Sequence, residues 1–248
     1  MIQAELHGKL LEIENSEDIL TSNVFGLLKY LPHDVFLNIL NRAETLSGRK
    51  FDFDLKGYIP EFIFWENIEG YGEPDLIIKF HNKDGYELIL CIEIKYYSSK
   101  SGEGDNDQLR RYFEALTVST KEKSHFLGVV YLTKYPSRKE LEDSLKHIKE
   151  RKLDDTDEKL FQLRWFEITK SLQEYHGKLN GSEKLILEDL IRYLKHKNFV
   201  EFTKFSFQAE EFDLPRDQFY ILDYLEFKGF SFSKENFDTK INEKIIYG

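Results

Sequence analysis

Near the start of the chain, Leu20, Val24, Leu27, Leu28 and Leu31 recur at three- and four-residue spacing. That period predicts an amphipathic helix. Asn15 and Ser16 ahead of it are good N-cap residues, Glu17 and Asp18 suit the positive end of the helix dipole, and Pro32 stops the run. A second helix is predicted over residues 33–46, with Val35, Phe36, Ile39 and Leu40 on its buried face. Residues 47–60 carry Gly48, Gly57 and Pro60 and read as loop with one short strand.

The period then shortens. Residues 62–65 predict a strand and residues 70–72 a turn, and residues 76–80 and 86–97 predict a hairpin around Asn82-Lys83-Asp84-Gly85. Residues 98–106, rich in Ser and Gly, read as loop, and Asp107 can cap a helix running to residue 118. A buried strand at 126–133, a charged helix at 137–152, a strand at 161–168 and an amphipathic helix at 182–195 complete the readable pattern. Helix, strands, helix, strand, helix, strand predicts an α/β domain with helices packed on a mixed central sheet. Residues 1–200 form that domain, and residues 201–248 form an aromatic-rich C-terminal extension whose elements the pattern does not assign.

Bulk properties change this picture little. A hydrophobic share of 41% in 248 residues is enough for a sizeable core. The first residues lack a signal peptide's basic start and apolar run, no uncharged apolar stretch is long enough to cross a bilayer, and Cys91 has no disulfide partner. The expectation is a cytoplasmic protein without a membrane partner. A formal net charge of −10 argues against coating nucleic acid through bulk electrostatics, but a local basic groove can coexist with an acidic body. The seven histidines show no metal-ligand spacing, and no Walker-type glycine loop is present.

Chemistry concentrates at the hairpin. Side chains alternate across a strand, so Ile89, Cys91, Glu93, Lys95 and Tyr97 share one face, while Leu88, Leu90, Ile92, Ile94 and Tyr96 make the other apolar throughout. A three-residue loop at Lys83-Asp84-Gly85, with Gly85 left-handed, pairs Asn82 with Tyr86 and sets Asp75 opposite Glu93. Opposed residues have side-chain roots about 5 Å apart, where two carboxylates repel. A divalent cation between them converts repulsion into coordination by hard oxygen ligands. Lys95, one pleat further on, can polarise a water or stabilise charge growing on a phosphate. The competing reading is a plain surface salt bridge between Glu93 and Lys95.

Pro74-Asp75 at a strand start, then Glu93-Ile94-Lys95 ending an apolar strand after a hairpin, resembles the signature of the PD-(D/E)XK nucleases. The resemblance implies a restriction-endonuclease-like core of helix, three-stranded antiparallel unit, helix and strand. It also implies Mg2+ or Mn2+ held by Asp75, Glu93 and the main-chain carbonyl of Ile94, with Lys95 serving the nucleophilic water. Gln108 and Tyr112, four apart on one helix face, resemble the Gln-x-x-x-Tyr pattern of RecB-like and lambda-exonuclease-like members. There the pattern implies a Gln that orders the site and a Tyr near the nucleic-acid strand; an edge-of-core Tyr and a solvated Gln is the other reading. Glu17 resembles the first-helix glutamate that reaches the metal in many members, and reads equally well as an acid suiting the helix dipole. Asp18, Glu14 and Glu5 are weaker candidates for that role.

The expectation is therefore a metal-dependent nuclease on DNA in prokaryotic restriction, repair or defence. The alternatives are an RNA-directed nuclease and a non-catalytic binding module. Arg110, Arg111, Lys100 and Lys79 are candidate phosphate contacts, and each reads equally well as a solvated charge. The eleven aromatics between Phe202 and Phe237 need burial, either in a homodimer, which is the expectation, or as a cap on the same chain.

Overall fold

A computed structural model describes residues 16–120, 122–135, 137–151 and 158–201, together with the backbone of two short strands at 225–227 and 230–232. The elements run α1 (Glu17–Leu28), α2 (His33–Leu40), β1 (Glu44–Thr45), β2 (Ile59–Phe64), β3 (Leu76–His81) and β4 (Glu87–Ile94), then α3 (Gln108–Val118) and β5 (Ser124–Thr133). After these come α4 (Arg138–Glu150), β6 (Leu160–Arg164), α5 (Trp165–Glu174) and α6 (Gly181–His196). The chain divides into two compact units at residues 201 and 202. In the second, β7 (Leu225–Phe227) pairs antiparallel with β8 (Phe230–Phe232). The aromatic side chains expected to drive dimerisation, like Glu14 and Glu5, lie outside the described residues.

One six-stranded sheet, ordered β1-β6-β5-β4-β3-β2, carries the first unit. β2, β3 and β4 form an antiparallel meander, β4, β5 and β6 are parallel through α3 and α4, and β1 closes the far edge antiparallel. The sheet is mixed, as short antiparallel turns and helical crossovers in one chain require. Alternation on β4 sorts two cores. Leu90, Ile92 and Ile94 join α1, α2, α5 and α6 on one face. Ile89 and Cys91 join α3 and α4 on the other. Parallel central strands covered on both faces must be apolar on both, so the one buried acid at the end of β4 stands out.

Local signals account for most boundaries. The Ser16 hydroxyl accepts from the Ile19 N–H and starts α1; the Asp107 carboxylate accepts from the Arg110 N–H and starts α3. Gly128 sits at a register shift between β4 and β5 with φ 141°, and a Cβ there would stand 2.2 Å from the Lys159 carbonyl. No other residue lets β5 and β6 approach so closely.

Several boundaries differ from the sequence expectation, among them β4, which ends at Ile94 where the strand was expected to reach residue 97. α2 ends at Leu40, with a two-residue strand in place of its last turn, and β2 begins at Ile59 inside the predicted loop. The larger difference is at 161–168, where β6 stops at Arg164 and a helix begins at Trp165. Leu160, Phe161, Leu163, Trp165 and Ile168 mimic a buried strand, yet the Glu167 carboxylate accepts from the Arg164 N–H at 2.9 Å and turns the chain into α5. Trp165, Ile168 and Leu172 then follow helical spacing into the core.

Candidate active site

The β3–β4 register runs His81 opposite Glu87 to Leu76 opposite Ile92, and the Asn82 N–H donates to the Tyr86 carbonyl. Carried one residue past Leu76, the register sets Asp75 opposite Glu93. Since Asn82 and Tyr86 are a hydrogen-bonded pair, Asp75 and Glu93 fall at a position without ladder hydrogen bonds, where opposed side chains come closest. Pro74 then faces Ile94, and proline has no N–H to give the ladder. The Ile94 N–H instead donates to Asp75 Oδ2 at 2.7 Å. A residue's N–H and C=O leave an extended strand on the same side, so the Ile94 carbonyl also faces the strip beside Asp75.

Glu93 is fully buried, and neither of its carboxylate oxygens has a hydrogen bond to a described residue. The Lys95 ammonium lies 2.7 Å from Oε1, an ion pair outside hydrogen-bonding angles. Tyr131, beside Glu93 across the β4–β5 ladder, donates its hydroxyl to Glu140 and leaves Glu93 unsatisfied. Burial first, and then the Asp75 charge, push the Glu93 carboxyl up to about 8. Asp75 rises to about 6, chiefly by burial, against the lowering effect of the Ile94 N–H and Lys95. Burial opposes the Lys95 charge as well, but Glu93, then Glu17 and Asp75, outweigh it and raise its pKa above the ordinary lysine value.

Glu17 reaches the same place from the first turn of α1. Its Oε1 accepts from Lys95 Nζ at 3.1 Å, and its Oε2 accepts from the Tyr96 N–H and the Ser98 hydroxyl at 2.9 Å each. Both oxygens are thus engaged in holding Lys95 and the chain after it, while Asp18 is exposed. Lys95 is also fixed through its backbone: its N–H donates to the Leu132 carbonyl and its carbonyl accepts from the Trp165 indole N–H at 3.1 Å. That indole contact was not foreseeable while residue 165 read as strand.

Gln108 and Tyr112 are brought together. The Gln108 amide donates to the Tyr112 hydroxyl at 3.1 Å, and that hydroxyl donates to the Glu73 carbonyl at 2.9 Å. Tyr112 is buried beside Gly72, so the pair anchors the segment that carries Asp75. Two of the candidate phosphate contacts are committed elsewhere. The Lys100 ammonium pairs with buried Asp107, which also accepts from Ser144, and Arg110 is buried with Glu114 at 2.7 Å and the Asp105 carbonyl. This polar cluster ties the loop after β4 to α3 and α4, and sequence spacing gave no sign of it.

Among the described residues, no three His, Cys, Asp or Glu side chains converge as a ready ligand group. A cation at Asp75 and Glu93 would complete its shell with main-chain and solvent oxygens, which suits magnesium, an ion that keeps several of its waters. Glu93, with no hydrogen bond to its carboxyl oxygens among the described residues and the Lys95 ammonium beside one of them, fits such an ion, because burial disfavours its charged form unless more positive charge is brought to it. No helix among the described residues is long and apolar enough to cross a membrane. Comparison with protein-family models, curated proteins and solved structures gives no match.

Proposed function

We propose that the first unit is a divalent-metal-dependent nuclease that hydrolyses phosphodiester bonds of DNA. Asp75 and Glu93 hold Mg2+ or Mn2+ together with the Ile94 carbonyl, and Lys95 faces the reacting phosphate. The observation that carries this reading is the Glu93 carboxyl, fully buried opposite Asp75, with only the Lys95 ammonium close to it and no hydrogen bond among the described residues. With α2 and the two-residue β1 set aside, the order helix, three antiparallel strands, helix, strand supports a restriction-endonuclease-like core, in line with the PD-(D/E)XK resemblance of the motif.

The bound ion would lower the pKa of a water and offset charge on the phosphate. The protein's own groups do the rest. Lys95 stays charged at neutral pH, so it is a hydrogen-bond donor and not the base; its ammonium stabilises negative charge growing on a phosphate oxygen. Glu17 is a positioning residue that holds Lys95 in place. The Ile94 N–H orients Asp75, and the Tyr112 hydroxyl steadies its segment through Glu73. Hydrolysis bonds the water oxygen to phosphorus and breaks the ester P–O bond, whose oxygen leaves with a proton.

Linear, circular and single-stranded DNA incubated with the protein test this directly. Cleavage is expected with magnesium or manganese, none in chelator, and a loss of at least about 100-fold on Glu93→Gln or Lys95→Met, the scale of removing one transition-state charge contact. Cleavage that persists in chelator, or survives Glu93→Gln intact, rules the assignment out.

A further inference from the structure

Directly after Lys95, a column of rings rises from the core to the surface. Trp165 is stacked on Phe199 at 4.9 Å and 9°, Phe199 meets Tyr96 at 5.3 Å, and Tyr96 lies 4.0 Å from Tyr97. The first three rings are buried; Tyr97 emerges 61% exposed. The Lys134 ammonium stands 4.6 Å from the centre of the Tyr97 ring and 5.7 Å from that of Tyr135, which is itself 64% exposed. Lys134 also donates to the Tyr97 hydroxyl at 3.4 Å, and no acid is found paired with it among the described residues. Single exposed aromatics are ordinary. Two exposed tyrosines around a cation with no acid paired to it among the described residues, on a ring column whose base is hydrogen-bonded to the Lys95 carbonyl, are not.

We propose that Tyr97, with Lys134 and Tyr135, is a stacking platform for an unpaired base of single-stranded DNA, placed to feed the strand to Lys95. The proposal rests on the nuclease reading above and names its substrate class. A ring platform is sequence-tolerant because every base has a π-face, and only an unstacked base can present that face. The ammonium supplies the complementary charge for the adjoining phosphate. Tyr97 lies two residues beyond Lys95, where the backbone bends after the end of β4, so the two are at most roughly 7 Å apart along the chain. At about 3.4 Å per stacked nucleotide, the base held there belongs to a nucleotide one or two places from the reacting phosphate. The column beneath makes the platform rigid, so little ordering entropy is lost on binding.

Fluorescence anisotropy of the full chain in chelator, with labelled oligothymidine and with a blunt duplex, tests the platform, while metal-dependent cleavage is followed in parallel. Tyr97→Ala is expected to weaken single-strand binding by about 5- to 100-fold, the scale of one lost base–aromatic stack. Tyr97→Phe, which keeps the ring, stays within about 2-fold on the same grounds, and the duplex is little affected. An unchanged affinity in Tyr97→Ala overturns the platform, and so does an equal loss on the duplex or an equal loss in Tyr97→Phe. Tighter binding of oligouridine than of oligothymidine overturns DNA as the strand. If the wild-type chain shows no metal-dependent cleavage, the nuclease reading falls and takes the platform with it. If it cleaves while Tyr97→Ala binds normally, the platform alone falls.

Discussion

Glu93 keeps its proton to about pH 8, and Asp75 to about pH 6, because folding removes both from water at adjacent positions. An acid with a raised folded pKa destabilises the fold as pH rises from its unfolded to its folded value. Without metal, the contribution of these two groups to stability is therefore greatest near pH 4 and declines towards pH 8. Glu93→Gln removes the larger part of that decline. Its stabilisation is expected to grow from near zero at pH 4 to about 1–3 kcal/mol at pH 9, the scale of a buried unsatisfied group. Added magnesium reverses the ranking, since an ion bound only by the folded wild type stabilises it by mass action. Thermal melts across pH, with and without magnesium, check both halves; a pH-independent difference contradicts the assignment. The opposition of Asp75 and Glu93 was legible in sequence because a short loop and a two-residue period leave one register. The grip of Glu17 was not, because a first-turn acid looks the same whether it meets solvent or a lysine 78 residues away.

At the scale of elements, α3 links the loop before the motif to the loop after it. Tyr112 holds the Glu73 carbonyl on one side, and the Gln108 side-chain carbonyl accepts from the Ser101 N–H on the other. Both contacts position groups and do not touch the metal ligands, so Tyr112→Phe and Gln108→Ala are expected to lower kcat by roughly 3- to 30-fold, well short of losing a ligand. Each costs about 1 kcal/mol of stability, one hydrogen bond. Steady-state kinetics with a melt on each variant test this; wild-type rates in both would remove α3 from the positioning of the site. The helical spacing of Gln108 and Tyr112 was visible in sequence, but what they hold was not, since main-chain carbonyls carry no residue signature. α5 was hidden for a different reason. A buried helix start and a buried strand are both runs of apolar residues, and only Glu167 marks the change.

For the whole molecule, the larger core draws on residues up to Phe199 and the smaller on residues up to Leu160, and the first unit ends at Glu201. A chain ending at Glu201 is expected to melt cooperatively and retain cleavage, whereas a cut before Phe199 strips the ring stacked on Trp165 and costs about 3–5 kcal/mol. The homodimer expected through the extension at residues 201–248 should disappear with that truncation; light scattering that finds a monomer in both chains refutes it. The reach of Glu17 also bears on the order in which the molecule assembles. The β2–β3–β4 meander closes short loops and can form early, while the clasp from α1 onto Lys95, Tyr96 and Ser98 spans 78 to 81 residues and pays its closure entropy late. Lys95 and Tyr96 then belong to different cooperative units although they are neighbours: one amide is sealed by β5, the other by the clasp. Native-state hydrogen exchange is expected to open the Tyr96 amide at lower free energy than the Lys95 amide, and Glu17→Ala to widen that gap. Equal exchange at the two sites, in both proteins, would mean that the site forms together with the sheet and not after it.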